Sequence, residues 1–132
     1  CCGVLKEEEG IIDRPIGRHP TDRKRMAVNE KNGKVAVTHY RVLERFNGYT
    51  YIECELETGR THQIRVHMAS INHPLLGDEV YAGGRKSPFR LQGQTLHAKT
   101  LGFRHPATGE YMEVDGVFSA FVRNTLSLFP IV

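Results

Sequence analysis

The stretch from Val35 to Glu57 restricts the possible folds of this chain more than any other. Val35, Val37, His39 and Arg41 alternate with Ala36, Thr38, Tyr40 and Val42. That alternation, rich in β-branched residues, suits a strand and not a helix. Beyond Asn47-Gly48, Tyr49, Tyr51, Glu53, Glu55 and Glu57 alternate with Thr50, Ile52, Cys54 and Leu56. Asn-Gly accepts the positive φ of a type I′ turn, so the two runs predict one antiparallel hairpin from Lys34 to Glu57. One face of its second strand is wet or functional and the other is apolar.

The period changes after Thr58-Gly59. Ile64, Met68 and Ile71 recur at i, i+4 and i+7, which predicts a helix laying one apolar stripe on a core. Thr61 is the expected N-cap, and Pro74 stops the helix by disfavouring helical geometry at His73. With Ile64 at zero, about 100° per residue puts Arg65 near ~100°, His62 near ~160° and His67 near about −60°. Arg65 and His62 therefore share a side while Ile64 faces the core. His62 and His67 do not form a metal face, which would need i, i+4 spacing.

Elsewhere the signals are shorter. Ile11 to Gly17 is extended, with Pro15 at a strand edge or start, and the polar segment up to Gly33 reads as an excursion loop. Leu75 to Tyr81 and Gly83-Gly84 read as loop with anchors. Gln94–Phe103 and Tyr111–Val114 flank a turn-rich segment and predict a second hairpin. Val117 to Phe129 is amphipathic enough for a terminal helix, with Val117, Phe121, Leu126 and Leu128 turned inward. The expected class is α+β, largely antiparallel, with a few helices.

A chain of 132 residues is one domain's worth. No apolar run approaches the ~18–20 residues of a membrane span. The opening Cys1-Cys2-Gly3-Val4-Leu5 runs into Lys6 and three glutamates, unlike a signal peptide, and a start on Cys predicts a piece of a longer protein. The three cysteines show no CxxC spacing, which predicts reduced thiols in a cytoplasmic protein and no zinc site.

The net charge of +3 does not by itself indicate nucleic acid; its distribution says more. Arg14, Arg18, His19, Arg23, Lys24 and Arg25 cluster in one stretch, Arg60 and Arg65 form a second centre, and Arg85, Lys86 and Arg90 a third. These fit a folded RNA-binding surface, or solvated loops that are basic by chance. Arg65 lies at the margin of the buried stripe, where a guanidinium needs an anion. Either it pairs with a strand glutamate such as Glu55, or it meets a catalytic carboxylate or a phosphate. Arg60, in the glycine turn before the helix, suits a backbone phosphate or simple exposure. Tyr40, Tyr49, Tyr51 and Tyr81 could stack bases, although strand aromatics more often pack.

Leu56-x-Thr58-Gly59-Arg60-Thr61-His62-Gln63-Ile64-Arg65-Val66-His67 closely resembles a signature of the RluA-like ribosomal-large-subunit pseudouridine synthases. The resemblance continues through His73-Pro74-Leu75-Leu76-Gly77-Asp78-x-x-Tyr81, Leu96-His97-Ala98, Leu101-x-Phe103-x-His105-Pro106 and Gly109. Upstream, Arg14-Pro15-Ile16-Gly17-Arg18 and Arg25-Met26 also fit, so that it runs from about Ile11 to Val114. It implies a large bent antiparallel sheet and cofactor-free isomerisation of uridine to pseudouridine in RNA, ribosomal RNA being the expected partner. It further implies that Arg65 pairs with a catalytic aspartate, that Ile64 and Leu96 line the uracil pocket, and that Arg60 and His62 lie beside it. Arg14, Arg18, Arg25, Arg85 and Lys86 are the expected RNA contacts, and no metal or cofactor is implied.

The family's aspartate sits in a His-Arg-Leu-Asp motif that this chain does not contain. Asp13 and Asp22 stand in a different context, Asp78 and Asp115 belong to downstream segments, and the tyrosine that stacks on the uracil is absent too. Residues 1–132 are thus expected to be the C-terminal portion of the catalytic domain, inactive alone. The open edge of half a sheet predicts self-association. The alternative is a noncatalytic RNA-binding or interaction module that reuses half of the fold. A metal-dependent nuclease is a distant third, because no acidic cluster suits Mg²⁺.

Overall fold

The structure, a computed structural model, describes residues 1–84, 93, 94, 96, 100–104 and 111–115. Two compact units divide the chain, Cys1–Thr95 and Leu96–Phe129. In the first, β4 (Val37–Phe46) runs antiparallel to β5 (Tyr49–Leu56) on one side and to β1 (Glu9–Asp13) on the other. The hairpin thus forms as its alternation dictates. Its turn differs from expectation: Gly48 takes φ 82°, whereas Asn47 is not among the positive-φ residues, so the type I′ form is not adopted. The pairing also slips between Val42 and Glu44, leaving Leu43 bulged out and 44% exposed.

The two faces of the sheet separate by chemistry. On the outer face Arg41 Nη2 meets Glu53 Oε1 at 2.9 Å and His39 Nε2 meets Glu57 Oε2 at 2.6 Å. Exposed pairs of this kind contribute about 0–1 kcal/mol. On the inner side Tyr40, Val42 and Ile52 pack against a core of Leu5, Ile12, Met68 and Leu75. Gly10 lies opposite Tyr40, and a Cβ there would stand 2.5 Å from the Tyr40 ring, so the close crossing of β1 over that ring requires glycine.

The segment expected as an excursion loop is partly ordered. Within it β2 (Ile16–Arg18) and β3 (Met26–Val28) pair as a short antiparallel ribbon. The ribbon supplies Ile16, Met26 and Val28 to a second core with Ala36, Val66, Ala69 and Tyr81. Three residues per strand are too few for a periodic signal, which is why composition suggested a loop.

Helix α1 (Gln63–Ser70) lies between the two cores. Ile64, Met68 and Ile71 face the first, as their spacing predicts, while Val66 and Ala69 face the second. The helix is therefore buried on two sides, and Gln63 and His67 are buried along with its apolar residues. Eight residues are too few to form a stable helix in isolation, so packing holds this one. Thr61 does not cap it. The cap position belongs to His62, at φ 57° and ψ 25°, with no side-chain capping bond.

In the second unit β6 (Thr100–Arg104) pairs antiparallel with β7 (Tyr111–Asp115), the expected second hairpin. The expected terminal helix lies outside the described residues. The α+β class holds, with three antiparallel sheets and one helix among the described residues in place of a single large sheet. Among the described residues no helix is long and apolar enough to cross a membrane.

Candidate functional site

A chain of buried hydrogen bonds holds the start of α1 against β4. The Gln63 amide donates through Nε2 to the Val37 carbonyl and to Thr38 Oγ1, both at 3.0 Å. Its Oε1 accepts the Thr58 hydroxyl at 2.7 Å and the Arg60 N–H at 2.9 Å. A carbonyl on one side and an N–H on the other fix which way this amide points. His67 continues the chain, with Nε2 2.8 Å from the Arg14 carbonyl and Nδ1 2.7 Å from Thr38 Oγ1. The carbonyl can only accept, so Nε2 carries the proton and Nδ1 accepts from Thr38. Burial pushes the His67 pKa down, which favours this neutral ring. These bonds set the axial position and rotation of α1, and with them the placement of Ile64 and Arg65.

Arg65 finds its anion within the chain. Its Nε lies 2.9 Å from Asp78 Oδ2 and its Nη2 lies 3.0 Å from Oδ1, a two-point fork. The Arg65 side chain is 12% exposed and that of Asp78 is fully buried. The strand glutamate Glu55 is thus not its partner, and the carboxylate it meets is one that the sequence placed in a downstream segment. Pro74 to Gly77 turns the chain back after α1, so residues thirteen apart in sequence meet. Burial alone would raise the Asp78 pKa. The hydrogen bonds from Arg65 and from the backbone N–H groups of Tyr81 and Val80 outweigh burial and hold it below the ordinary carboxylate value. The same pairing raises the Arg65 pKa. Of five guanidinium N–H groups, two serve Asp78, which leaves donors for a further acceptor.

Tyr81, buried at 6% exposure, joins the pieces. Its hydroxyl oxygen accepts the Met26 N–H at 3.0 Å and lies 2.7 Å from His62 Nδ1. The guanidinium carbons of Arg65 and Arg25 stand 4.9 and 5.3 Å from its ring centroid. Burial commits this ring to packing and cation contacts. The sequence offered Tyr81 only as a possible base-stacking ring and did not assign Gln63, Thr38 or Asp78 a role in the site. A buried polar residue that staples two elements has no periodic signature of its own.

The remaining candidates are dispersed. Ile64 is half-buried beside the first core. Arg60 spends its Nε on the Val35 carbonyl at 2.8 Å. Arg14 donates from Nη1 to the Ser70 carbonyl, closing the C-terminal end of α1, and Arg18 donates from Nη1 to the Arg23 carbonyl. Arg25 has a buried Nε without a hydrogen-bond partner among the described residues. Leu96, 47% exposed, belongs to the second unit. Arg85 and Lys86 lie outside the described residues. A hollow over the sheet is lined by Glu9, Glu53 and Glu55 beside His39 and Arg41, an acid-rich surface poorly suited to a polyanion.

Comparison with known proteins identifies the family and the fold. Across 113 residues the chain is 54% identical to an uncharacterized RNA pseudouridine synthase, YlyB, of Bacillus subtilis, covering 86% of this chain and 36% of that protein. It is 50% identical over 123 residues to ribosomal large subunit pseudouridine synthase D of Pasteurella multocida, covering 85% of this chain and 37% of that protein. The chain therefore spans a little over a third of the length of these curated relatives. Among solved structures, human RNA pseudouridylate synthase domain containing 1 superposes with a TM-score of 0.81 at 27% identity, covering 99% of this chain and 56% of that one. Residues 2–70 match the family described as RNA pseudouridylate synthase, a span that holds the hairpin, α1 and the Gln63–His67 staple, and the chain belongs to that family.

Proposed function

We propose that this chain is the C-terminal portion of the catalytic domain of an RNA pseudouridine synthase, and that the complete protein isomerises uridine to pseudouridine in ribosomal RNA. The observation that carries this reading is Arg65. It is nearly buried, fixed by Asp78 and by the staple beneath α1, and retains N–H groups for another acceptor. In this role those groups meet the catalytic carboxylate, which this chain's own sequence does not supply in a His-Arg-Leu-Asp motif.

In the reaction the N1–C1′ bond of the uridine breaks, the base turns, a C5–C1′ bond forms, and the proton lost from C5 is balanced by one gained at N1. No cofactor is needed. Ile64 and Leu96 line the uracil, Arg60 and His62 lie beside it, and Arg14, Arg18, Arg25, Arg85 and Lys86 contact the RNA backbone. The printed names of the relatives, ribosomal large subunit pseudouridine synthase D among them, support a ribosomal substrate.

The coding sequence upstream of Cys1 tests this reading. An in-frame His-Arg-Leu-Asp is the expected result, and a start codon adjoining Cys1 would overturn it in favour of a noncatalytic module. The purified chain alone should release no tritium from RNA labelled at uridine C5, and release would refute its inactivity. The β1-β4-β5 sheet has an outer edge on each side among the described residues, which supports self-association of the isolated chain. Light scattering should show a species larger than the 15.0 kDa monomer, and a clean monomer would overturn that expectation.

A further inference from the structure

We infer that His62, Tyr81 and Arg25 form a contact for one RNA phosphodiester, in which Tyr81 fixes the tautomer of His62 so that Nε2–H is presented as the donor. The inference rests on the reading of this chain as part of an RNA-modifying enzyme and adds a ligand group to it.

The first support is the hydrogen bonding of Tyr81. Its oxygen accepts from Met26, a donor that cannot accept, and its buried O–H has no acceptor among the described residues except His62 Nδ1 at 2.7 Å. A buried hydroxyl rarely leaves its proton unused, so Tyr81 donates to Nδ1. The neutral imidazole then carries its own proton on Nε2. That nitrogen has no partner among the described residues, on a half-buried side chain. The ring is also fixed in direction, edge-on to Tyr81 at 75° with centroids 5.6 Å apart.

The second support is charge. Two guanidinium groups stand at the Tyr81 ring, but only one is uncompensated, because Arg65 is neutralised by the buried carboxylate of Asp78. Among the described residues Arg25 has no ion pair, and its buried Nε has no hydrogen-bond partner. One positive charge and one oriented N–H donor, each held against Tyr81, match one phosphodiester, and match a neutral uracil carbonyl less well.

The third support is the backbone. His62 adopts the left-handed region at φ 57°, uncommon for a residue with a side chain. Such a conformation persists only where surrounding structure enforces it, and it clusters at ligand contacts. Here the Gln63 staple on one side and the Tyr81 bond on the other enforce it.

The test is fluorescence anisotropy of a labelled oligouridine RNA titrated with the whole chain. Y81F, H62N and R25Q should each weaken binding about threefold to tenfold, the scale of one lost hydrogen bond or contact. R25Q should also lower the slope of log affinity against log salt by about 0.7, one phosphate's share on a single strand. Asparagine tolerates the left-handed region, so H62N leaves the backbone in place while its shorter amide cannot present an N–H where the imidazole Nε2–H stands. Imidazole ¹⁵N spectra should show His62 protonated on Nε2 in the unaltered chain and a mixture of tautomers in Y81F, a change that loss of packing alone would not give. RNA binding that all three variants leave intact, or a His62 protonated on Nδ1, overturns this inference while the RNA pseudouridine synthase reading stands. Absence of any RNA binding by the unaltered chain also overturns this inference, whereas the reading of the complete protein falls only with the upstream coding sequence.

Discussion

His67 Nδ1 and Thr38 Oγ1 meet at 2.7 Å between α1 and β4, and both side chains are fully buried. A histidine so placed cannot gain a proton without reversing this bond, because Nδ1 now accepts the Thr38 hydroxyl. Thr38 Oγ1 also accepts from Gln63, and His67 donates to the Arg14 carbonyl, so the helix is tied to the strand and to the chain leading into the ribbon.

Stability should therefore fall in mild acid. The folded-state pKa of His67 lies below the ordinary 6.5, through burial first. The unfolded chain then binds the proton more readily, so the contribution of the neutral ring is complete above pH ~6.5 and declines as pH drops below it. Thermal melts should show a falling Tm between about pH 6.5 and pH 5, and H67N should flatten that trend. A Tm independent of pH in this range would refute the assignment.

Breaking the Arg65–Asp78 fork should be costly. D78N leaves a nearly buried guanidinium without its charge partner, for which about 3–5 kcal/mol is expected. That is a large share of the ~5–15 kcal/mol that holds a domain together. Urea unfolding measures it, and the double variant R65M/D78L should recover much of the loss. A D78N midpoint close to that of the unaltered chain would sink the claim that this pair is a structural anchor.

Gln63 is replaceable by nothing similar. Q63E keeps the shape but removes both Nε2–H donors, leaving the Val37 carbonyl and Thr38 Oγ1 facing a carboxylate. The expected loss is about 2–4 kcal/mol, read by denaturant titration, and it should shrink as pH falls and the glutamate protonates. Equal stability of Q63E and the unaltered chain at pH 8 would show the staple to be dispensable.

Cys54 should be a sluggish thiol. Burial raises its pKa to about 11 from 9.0, so at pH 8 it holds on the order of a hundredfold less thiolate than an ordinary cysteine. Peptide mapping after brief alkylation should find Cys54 largely unlabelled, with labelling rising steeply toward pH 11. Rapid modification at pH 8 would contradict the raised pKa that burial gives it.

The hairpin and the helix were legible in the residues themselves. Alternation over Val35–Leu56 and the Ile64, Met68, Ile71 spacing are local signals, because each reports which side of one element leaves water. The β2–β3 ribbon was not legible, since its strands are too short to show a period. Nor was the cap at His62: Thr61 is the better N-cap by type, but a left-handed turn that packs His62 on Tyr81 overrides that preference. Arg65 was marked correctly as a guanidinium in need of an anion, while its partner depended on how the chain turns after Pro74.

The sequence by itself determined the long hairpin, the helix, the basic character of the Arg14–Arg25 segment and the family to which the Thr58–His67 run points. The tertiary structure alone decided that Asp78 neutralises Arg65, that Gln63 and His67 staple α1 to β4, and that Tyr81 collects His62, Arg25 and Arg65 around one ring. The physical reason is range. Periodicity and turn chemistry act between near neighbours, whereas a buried charge or amide is satisfied by whatever group the fold brings to it, here from 13 to 53 residues away.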